Sequence, residues 1–384
     1  MANPLEAELH YPLADQLPPT GQTIEIAPGL RWLRMGLPFA LNHINLWLLR
    51  DRDGDRDGWA VVDCGIDNAA TRADWEQVFA HSLDGLPILR VIVTHMHPDH
   101  IGLAHWLCER WKTRSEDPGL PGRGEPPRGV ASAASLGAHN TQDCRLWISA
   151  TDWNAARMAC QSTTGFGGGT AADHFARHGL SDPEALAKVR ARTNYYPSLV
   201  PQVPQRFRRL MDGMELVVGD RRWRCIAGYG HAPEHIALYD AQAHVLISGD
   251  MVLPRISTNV SVIDLEPESD PLSLYLRSIE ALRTLPQDTL VLPSHGKPFT
   301  GLHRRIEQLR EHHDERLGAV MAACRERACS AAELLPVLFQ RELDLHQTTF
   351  AMGESIAHLH LLVGRGLLQA QPPVDGVLRF RAMP

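Results

Sequence analysis

Apolar residues come in short runs over positions 1–300 of this 384-residue chain and at helical spacing beyond them. From Ile24 to Val62 runs such as Leu30–Met35 and Asn45–Arg50 alternate with polar turns, the signature of strands with one buried face. Asp51–Gly58 carries Asp-Gly pairs and predicts a hairpin loop. Its four Asp residues lack the spacing and terminal Glu of an EF-type calcium loop. A helix is predicted over 70–81, then a strand through Val91-Ile92-Val93 into His95, then a helix from Ile101 to about Lys112. A strand over 145–149 precedes a helix capped by Thr151 or Asp152 and running through Met158.

Two segments interrupt this rhythm. Residues 113–140 are rich in Pro, Gly and charge and read as an exposed insertion. Residues 161–212 read as a second insertion, with Gly165–Thr170 as a flexible hinge and short helices over 171–179 and 183–192. Its glycines lack the Lys-Ser/Thr of a phosphate-binding loop. Helical caps of this kind line substrate pockets, so Phe166, His174, Tyr195 and Tyr196 are candidates for substrate contact, each with core packing as the competing role. Hairpin turns at Gly219-Asp220 and Asp240-Ala241 and a helix over 271–285 follow. Beyond position 300 the spacing predicts helices over 303–325, 331–340 (capped by Ser330) and 353–363, then short strands over 367–370 and 377–380. The expected division is a domain over 1–300 and a second over 301–384.

Composition narrows the function classes. Charged residues at 22% and hydrophobic ones at 44% describe an ordinary globular protein. The net charge of −7 disfavours a broad nucleic-acid surface. Residues 301–384 hold ten Lys/Arg and ten Asp/Glu, a net of zero, so the tail offers no basic face either. The seven Cys are scattered without a C-x-x-C pair, which fits reduced thiols. No signal peptide is read at the N-terminus, and no apolar run reaches the ~20 residues of a membrane span. A cytoplasmic protein without membrane or nucleic-acid partners, and able to form a homodimer, is the expectation.

The chemistry is concentrated in four places. Thr94-His95-Met96-His97-Pro98-Asp99-His100 follows a predicted strand, so His95 and His97, at i and i+2, can grip one metal ion together. After the turn at Pro98, Asp99 and His100 can aim at a second ion. His231 lies in the glycine-rich Gly228–His235 segment, Asp250 closes Val245–Gly249, and His295 follows Leu290–Ser294. Each candidate lies just past a predicted strand end, where loops present functional groups from a rigid sheet. One His is an ordinary residue in a chain with 20 of them; three with an Asp in six positions are not. His and Asp donors suit zinc, with iron or manganese as other occupants.

This pattern, H-x-H-x-D-H followed by separated His, Asp and His, resembles the metallo-β-lactamase superfamily over roughly the first 300 residues. The resemblance implies an αββα sandwich, an α/β fold, with two zinc ions: His95, His97 and His231 at the first, Asp99, His100 and His295 at the second, and Asp250 bridging them. It also casts Asp63 as an aspartate supporting the ligands, though an Asp that simply forms a turn before Gly65 fits the sequence nearly as well. Gly230-His231-Ala232-Pro233-Glu234-His235 departs from the Gly-His-Thr-Pro-Gly-His common in hydroxyacylglutathione hydrolases, keeping the ligand and weakening the link to that substrate. The C-terminal helices and strands resemble a winged-helix domain, here expected to serve packing or dimerisation.

The implied function is a zinc-dependent hydrolase acting on an ester-like bond (thioester, lactone or ester) of a small molecule. Two ions lower the pKa of a shared water to yield a hydroxide nucleophile, and Asp99 or Asp250 can orient it as the catalytic carboxylate. Phosphodiester or RNA cleavage and a mononuclear iron persulfide dioxygenase are the enzymatic alternatives. A non-catalytic interaction protein is the remaining one, and it fits poorly with a complete ligand set.

Overall fold

The structure is a computed structural model describing residues 3–39, 41–112, 143–161 and 167–384. The expected insertion over 113–140 and the candidate Phe166 lie outside the described residues.

Strands β1 (Thr23–Ala27), β2 (Leu30–Gly36), β3 (His43–Asp53), β4 (Arg56–Val62), β5 (Ile88–Ile92), β6 (Arg145–Ser149) and β7 (Phe207–Leu210) form one sheet in sequence order. Pairing is antiparallel from β1 to β4 and parallel from β4 to β7. A second sheet holds β8 (Glu215–Val218), β9 (Arg221–Gly228), β10 (His235–Asp240), β11 (Val245–Gly249) and β12 (Leu290–Pro293), with only β11 and β12 parallel. The segment expected as a second insertion carries α5 (Gly168–Arg177), α6 (Pro183–Ala191) and α7 (Tyr195–Leu199), then returns β7 to the edge of the first sheet.

Strand alternation builds the layers. On one face of the first sheet, Leu30, Trp32, Trp47, Leu49 and Val62 meet Trp223, Cys225, Ile236, Leu238 and Ile247 of the second. The opposite face, with Leu33, Met35, Leu46 and Leu48, packs on α1 (Ala69–His81), α3 (Ala104–Arg110) and α4 (Ala150–Ala159). Outside the second sheet lies α8 (Pro271–Ala281), in one core with α9 (Leu302–Glu326), α10 (Ala331–Leu338) and α11 (Leu345–Gly364). This is the expected αββα sandwich with a C-terminal helical region. A ribbon of β13 (Leu368–Ala370) and β14 (Phe380–Ala382) completes the C-terminal part. Among the described residues, no helix is long and apolar enough to cross a membrane.

Local differences from the sequence reading have physical causes. The helix after the His-rich motif begins at Pro98 and is split into α2 (Pro98–Ile101) and α3, where the Leu103 N–H leaves the helical ladder for the Gly65 carbonyl at 3.1 Å and Gly102 packs against that carbonyl. A Cβ there would stand 2.6 Å from the Gly65 carbonyl oxygen. The cap of α4 is Ser149, whose hydroxyl accepts the Asp152 N–H at 3.1 Å, not Thr151 or Asp152. Helix α11 starts eight residues before the expected Gly353, at a capping box of Asp344 and Gln347.

Candidate metal centre

The strands of the sandwich end together, and the loops beyond them bring all seven candidate ligands into three overlapping groups. These are His95, His97 and His231; His95, His100 and Asp250; and Asp99, His100 and His295. The first sheet supplies the H-x-H segment from the end of β5, and Pro98 at the start of α2 turns Asp99 and His100 back toward it. Asp250 and His295 follow β11 and β12, the parallel pair of the second sheet.

In the first group the ring nitrogens face one another. His95 Nε2 lies 2.9 Å from His97 Nδ1 and 3.2 Å from His231 Nε2, and His97 Nδ1 lies 3.1 Å from His231 Nε2. Burial, followed by the charge of neighbouring imidazoles, pushes His95 well below the usual histidine range. Burial and the charge of His231 take His97 to about 3. Neutral imidazoles present lone pairs, and three lone pairs converging on one point suit a cation. Zn–N bonds of ~2.0–2.1 Å in a tetrahedron put donors roughly 3.3 Å apart, close to these separations.

The second group is built from oppositely charged partners. His100 Nε2 lies 3.6 Å from both Asp99 Oδ2 and Asp250 Oδ1, and His295 Nε2 lies 3.3 Å and 3.5 Å from the same two atoms. His100 Nε2 and Asp250 Oδ1 are buried without a hydrogen-bond partner, a costly state that coordination would relieve. Burial alone would raise the Asp99 carboxyl, but the charges of His100 and His295 outweigh it and hold Asp99 at about 2. Asp250 splits its carboxylate: Oδ2 faces His231 Nε2 at 3.3 Å, while Oδ1 faces the second group. The donor set therefore fits two divalent ions, with Asp250 between them.

A further set of contacts fixes which nitrogen each ring offers. Asp63 Oδ2 accepts the His100 Nδ1–H at 2.8 Å, Asn259 O accepts the His231 Nδ1–H at 2.7 Å, and His43 O accepts the His295 Nδ1–H at 2.7 Å. Thr94 Oγ1 lies 3.0 Å from His95 Nδ1. In these four rings a partner on Nδ1 turns Nε2 toward the centre, whereas His97 turns Nδ1 inward. Of the two sequence readings of Asp63, the structure shows both in one residue: φ is +63°, a turn conformation, and the carboxylate also holds Thr94 N–H at 2.8 Å.

Several contributors went unread in the sequence. His235 accepts the Asp250 N–H at 3.2 Å through Nε2, its ring 5.1 Å from that of His95. Asp152 accepts the N–H groups of Met96 at 2.7 Å and Glu234 at 2.6 Å, tying the H-x-H loop to the His231 loop. Burial raises its carboxyl to about 6 against the pull of those two bonds. Of the substrate-contact candidates, Tyr196 is structural, its hydroxyl donating to Met96 O at 2.5 Å. His174 is buried in α5 against His178, in the core shared with the C-terminal helices. Tyr195 begins α7, which packs on α2. Its ring lies 5.8 Å from His346 of α11, which stacks on Phe39 at 5.9 Å. That wall of rings draws on three distant stretches of chain, which no local pattern could announce.

The comparisons agree with this geometry. Residues 41–133 and 151–295 match the family model "Metallo-beta-lactamase superfamily", and residues 317–383 match "Metallo-beta-lactamase-like, C-terminal domain". The chain belongs to the metallo-beta-lactamase superfamily. It is 52% identical to a beta-lactamase domain protein from Burkholderia ambifaria of known crystal structure, with a TM-score of 0.86, covering 99% of this chain and 100% of that one. A metallo-beta-lactamase family protein from Thermus thermophilus is 25% identical, with a TM-score of 0.68 over 94% of this chain and 100% of that one. The protein named Probable metallo-hydrolase YqjP of Bacillus subtilis (strain 168) is 24% identical over 341 residues, 86% of this chain and 91% of its own.

Proposed function

We propose that the protein is a metallo-hydrolase with two zinc ions that cleaves an ester-like bond, thioester first and lactone or ester second, in a small molecule. The observation that carries this reading is the split Asp250 carboxylate, with one oxygen facing His231 and the other facing His100 and His295. A mononuclear iron dioxygenase needs only a subset of these donors, whereas all seven converge here. The name of the Bacillus subtilis relative, a probable metallo-hydrolase, supports the same class.

His95, His97 and His231 would hold the first ion, Asp99, His100 and His295 the second, and Asp250 both. When bound, such a pair supplies an activated water and a Lewis-acid grip on the substrate oxygen that gains charge. The chain's own residues do the rest. Asp99 is ionised at neutral pH and only partly buried among the donors, so its carboxylate can accept a hydrogen bond from the nucleophile and orient it. Asp63, Asn259 and His43 hold the rings in one orientation, so the donor geometry is set before substrate arrives. The ring wall of Phe39, Tyr195 and His346 stands beside the ligand helix α2 and suits a small organic substrate better than a polyanion. The net charge of −7 points the same way.

Elemental analysis of the purified protein, followed by a panel of thioesters, lactones, esters and phosphodiesters, tests the reading. The expected result is close to two zinc ions per chain and turnover of a carbonyl substrate that Asp250→Ala abolishes. Cleavage confined to phosphodiesters, or one iron per chain with oxygen uptake on a persulfide, would overturn it.

A further inference from the structure

The inter-sheet face that carries Leu30 and Trp32 on β2 and Trp47 and Leu49 on β3 does not stop at its apolar residues. Side chains two apart on a strand share a face, so Arg34 continues the first row and Asn45 and His43 the second. The register pairs Arg34 with Asn45 and Gly36 with His43. This polar end of the sandwich abuts the metal centre. Asn45 Nδ2 donates to Pro293 O at 2.8 Å and Gly296 O at 2.9 Å, on both sides of His295. His43 Nε2 accepts the Gly296 N–H at 2.9 Å, and its ring lies 6.0 Å from that of His295.

Arg34 is the charged member of this row, and it is partly buried. Among the described residues it makes no hydrogen bond or ion pair, unlike Arg90 on Asp51 or Arg221 on Asp240. Its neighbour His43 offers no counter-charge, and both of its ring nitrogens are engaged, Nε2 by the Gly296 N–H at 2.9 Å and Nδ1 against Asn42 Oδ1 at 2.8 Å. A guanidinium withdrawn from water without a counter-charge forgoes strong bonds that an oxyanion would restore, and its planar fork matches a carboxylate or phosphate in two contacts.

We propose that Arg34 is a specificity-determining residue that binds a carboxylate or phosphate group of the substrate, on the His295 side of the site and away from the bond that is cut. The inference rests on the hydrolase reading for its substrate and adds the chemical class: an anionic ester or thioester. Asn45, beside it, has its Nδ2 held by two backbone carbonyls, which fixes it as the floor of the site.

The test uses the metal-loaded full chain and three thioesters identical except for a remote neutral amide, carboxylate or phosphate. Wild type is expected to favour one charged member, which separates the carboxylate source from the phosphate source. Arg34→Gln should reduce the charged-to-neutral ratio of kcat/KM by about tenfold or more, mostly through KM, since a bidentate charged contact is lost. Arg34→Lys should recover part of it by keeping the charge without the fork. Calorimetry with the matching uncleavable thioethers gives a second readout independent of turnover. An Arg34-dependent preference for the charged thioether without any thioester turnover would sink the hydrolase reading and leave this inference standing. A ratio that Arg34→Gln leaves unmoved in both measurements, or no preference for a charged ligand in either, overturns the inference.

Discussion

Asp63 and His100 stand 37 residues apart in the chain, yet Asp63 Oδ2 accepts the His100 Nδ1–H at 2.8 Å with both side chains buried. One carboxylate at the end of β4 thereby orients a candidate ligand at the start of α2, and the same carboxylate fixes Thr94 before the H-x-H segment. Removing a partner of this kind typically costs roughly 10–100-fold in metal affinity. Asp63→Ala should therefore weaken metal binding by about that factor, measured by competition with a chromophoric chelator. An affinity equal to wild type would deny Asp63 its orienting role.

Asp250 and Asp99 should differ in kind. Asp99→Ala or His295→Ala removes donors from one group only, so the metal content is expected to fall from about two ions per chain toward one. Asp250→Ala touches both groups and should lower the content further and abolish turnover. Elemental analysis of the purified variants decides. Equal stoichiometry in all three would contradict the proposed sharing of Asp250 between the two groups.

Gly249 sits directly before Asp250 with φ of +53°, and a Cβ there would stand 2.1 Å from His235 Nε2. Gly249→Ala combines backbone strain with a clash, so a loss of at least about 2 kcal/mol is expected. Gly54→Ala is the matched control, with φ of +62° and nothing within 4 Å of the added carbon. It should cost only about 1 kcal/mol. Urea unfolding of the two variants separates strain from collision.

A buried imidazole cluster between α9 and α11 should shape acid stability. His313 of α9 lies against His358 of α11 at 3.4 Å, with Tyr275 of α8, His312, Arg316 and Glu354 around them. Burial, then His358, push His313 well below the usual range; burial takes His358 to about 4 and His312 to about 3. A folded-state pKa below the unfolded value of about 6.5 stabilises the fold above about pH 6.5, and this is lost as pH falls toward about 4. Urea midpoints of wild type should drop across that window more steeply than those of His313→Gln or His358→Gln. Parallel acid limbs would remove the cluster from the account.

The seven candidate ligands could be picked out because they lie in the segments that follow apolar runs, and strand periodicity and Pro98 are local properties of the chain. The layered fold was implied by the family resemblance that these residues carry, while the runs themselves marked only strands and helices. What the chain could not announce are the bonds that span it. Asp152 has the sequence of a helix cap, and beside the local Ser149 hydroxyl at 3.2 Å it is Met96 and Glu234, 56 and 82 residues away, that give its two oxygens the backbone bonds tying the loops together. His235 looks like one more histidine until β10 and β11 pair and place its Nε2 on the Asp250 N–H. Phe39, Tyr195 and His346 become one wall only when the β2–β3 connection, α7 and α11 are brought together. Local sequence decides which groups can bind and bend. Tertiary packing decides which of them meet, because hydrogen-bond and ring contacts depend on distance in space and not on separation along the chain.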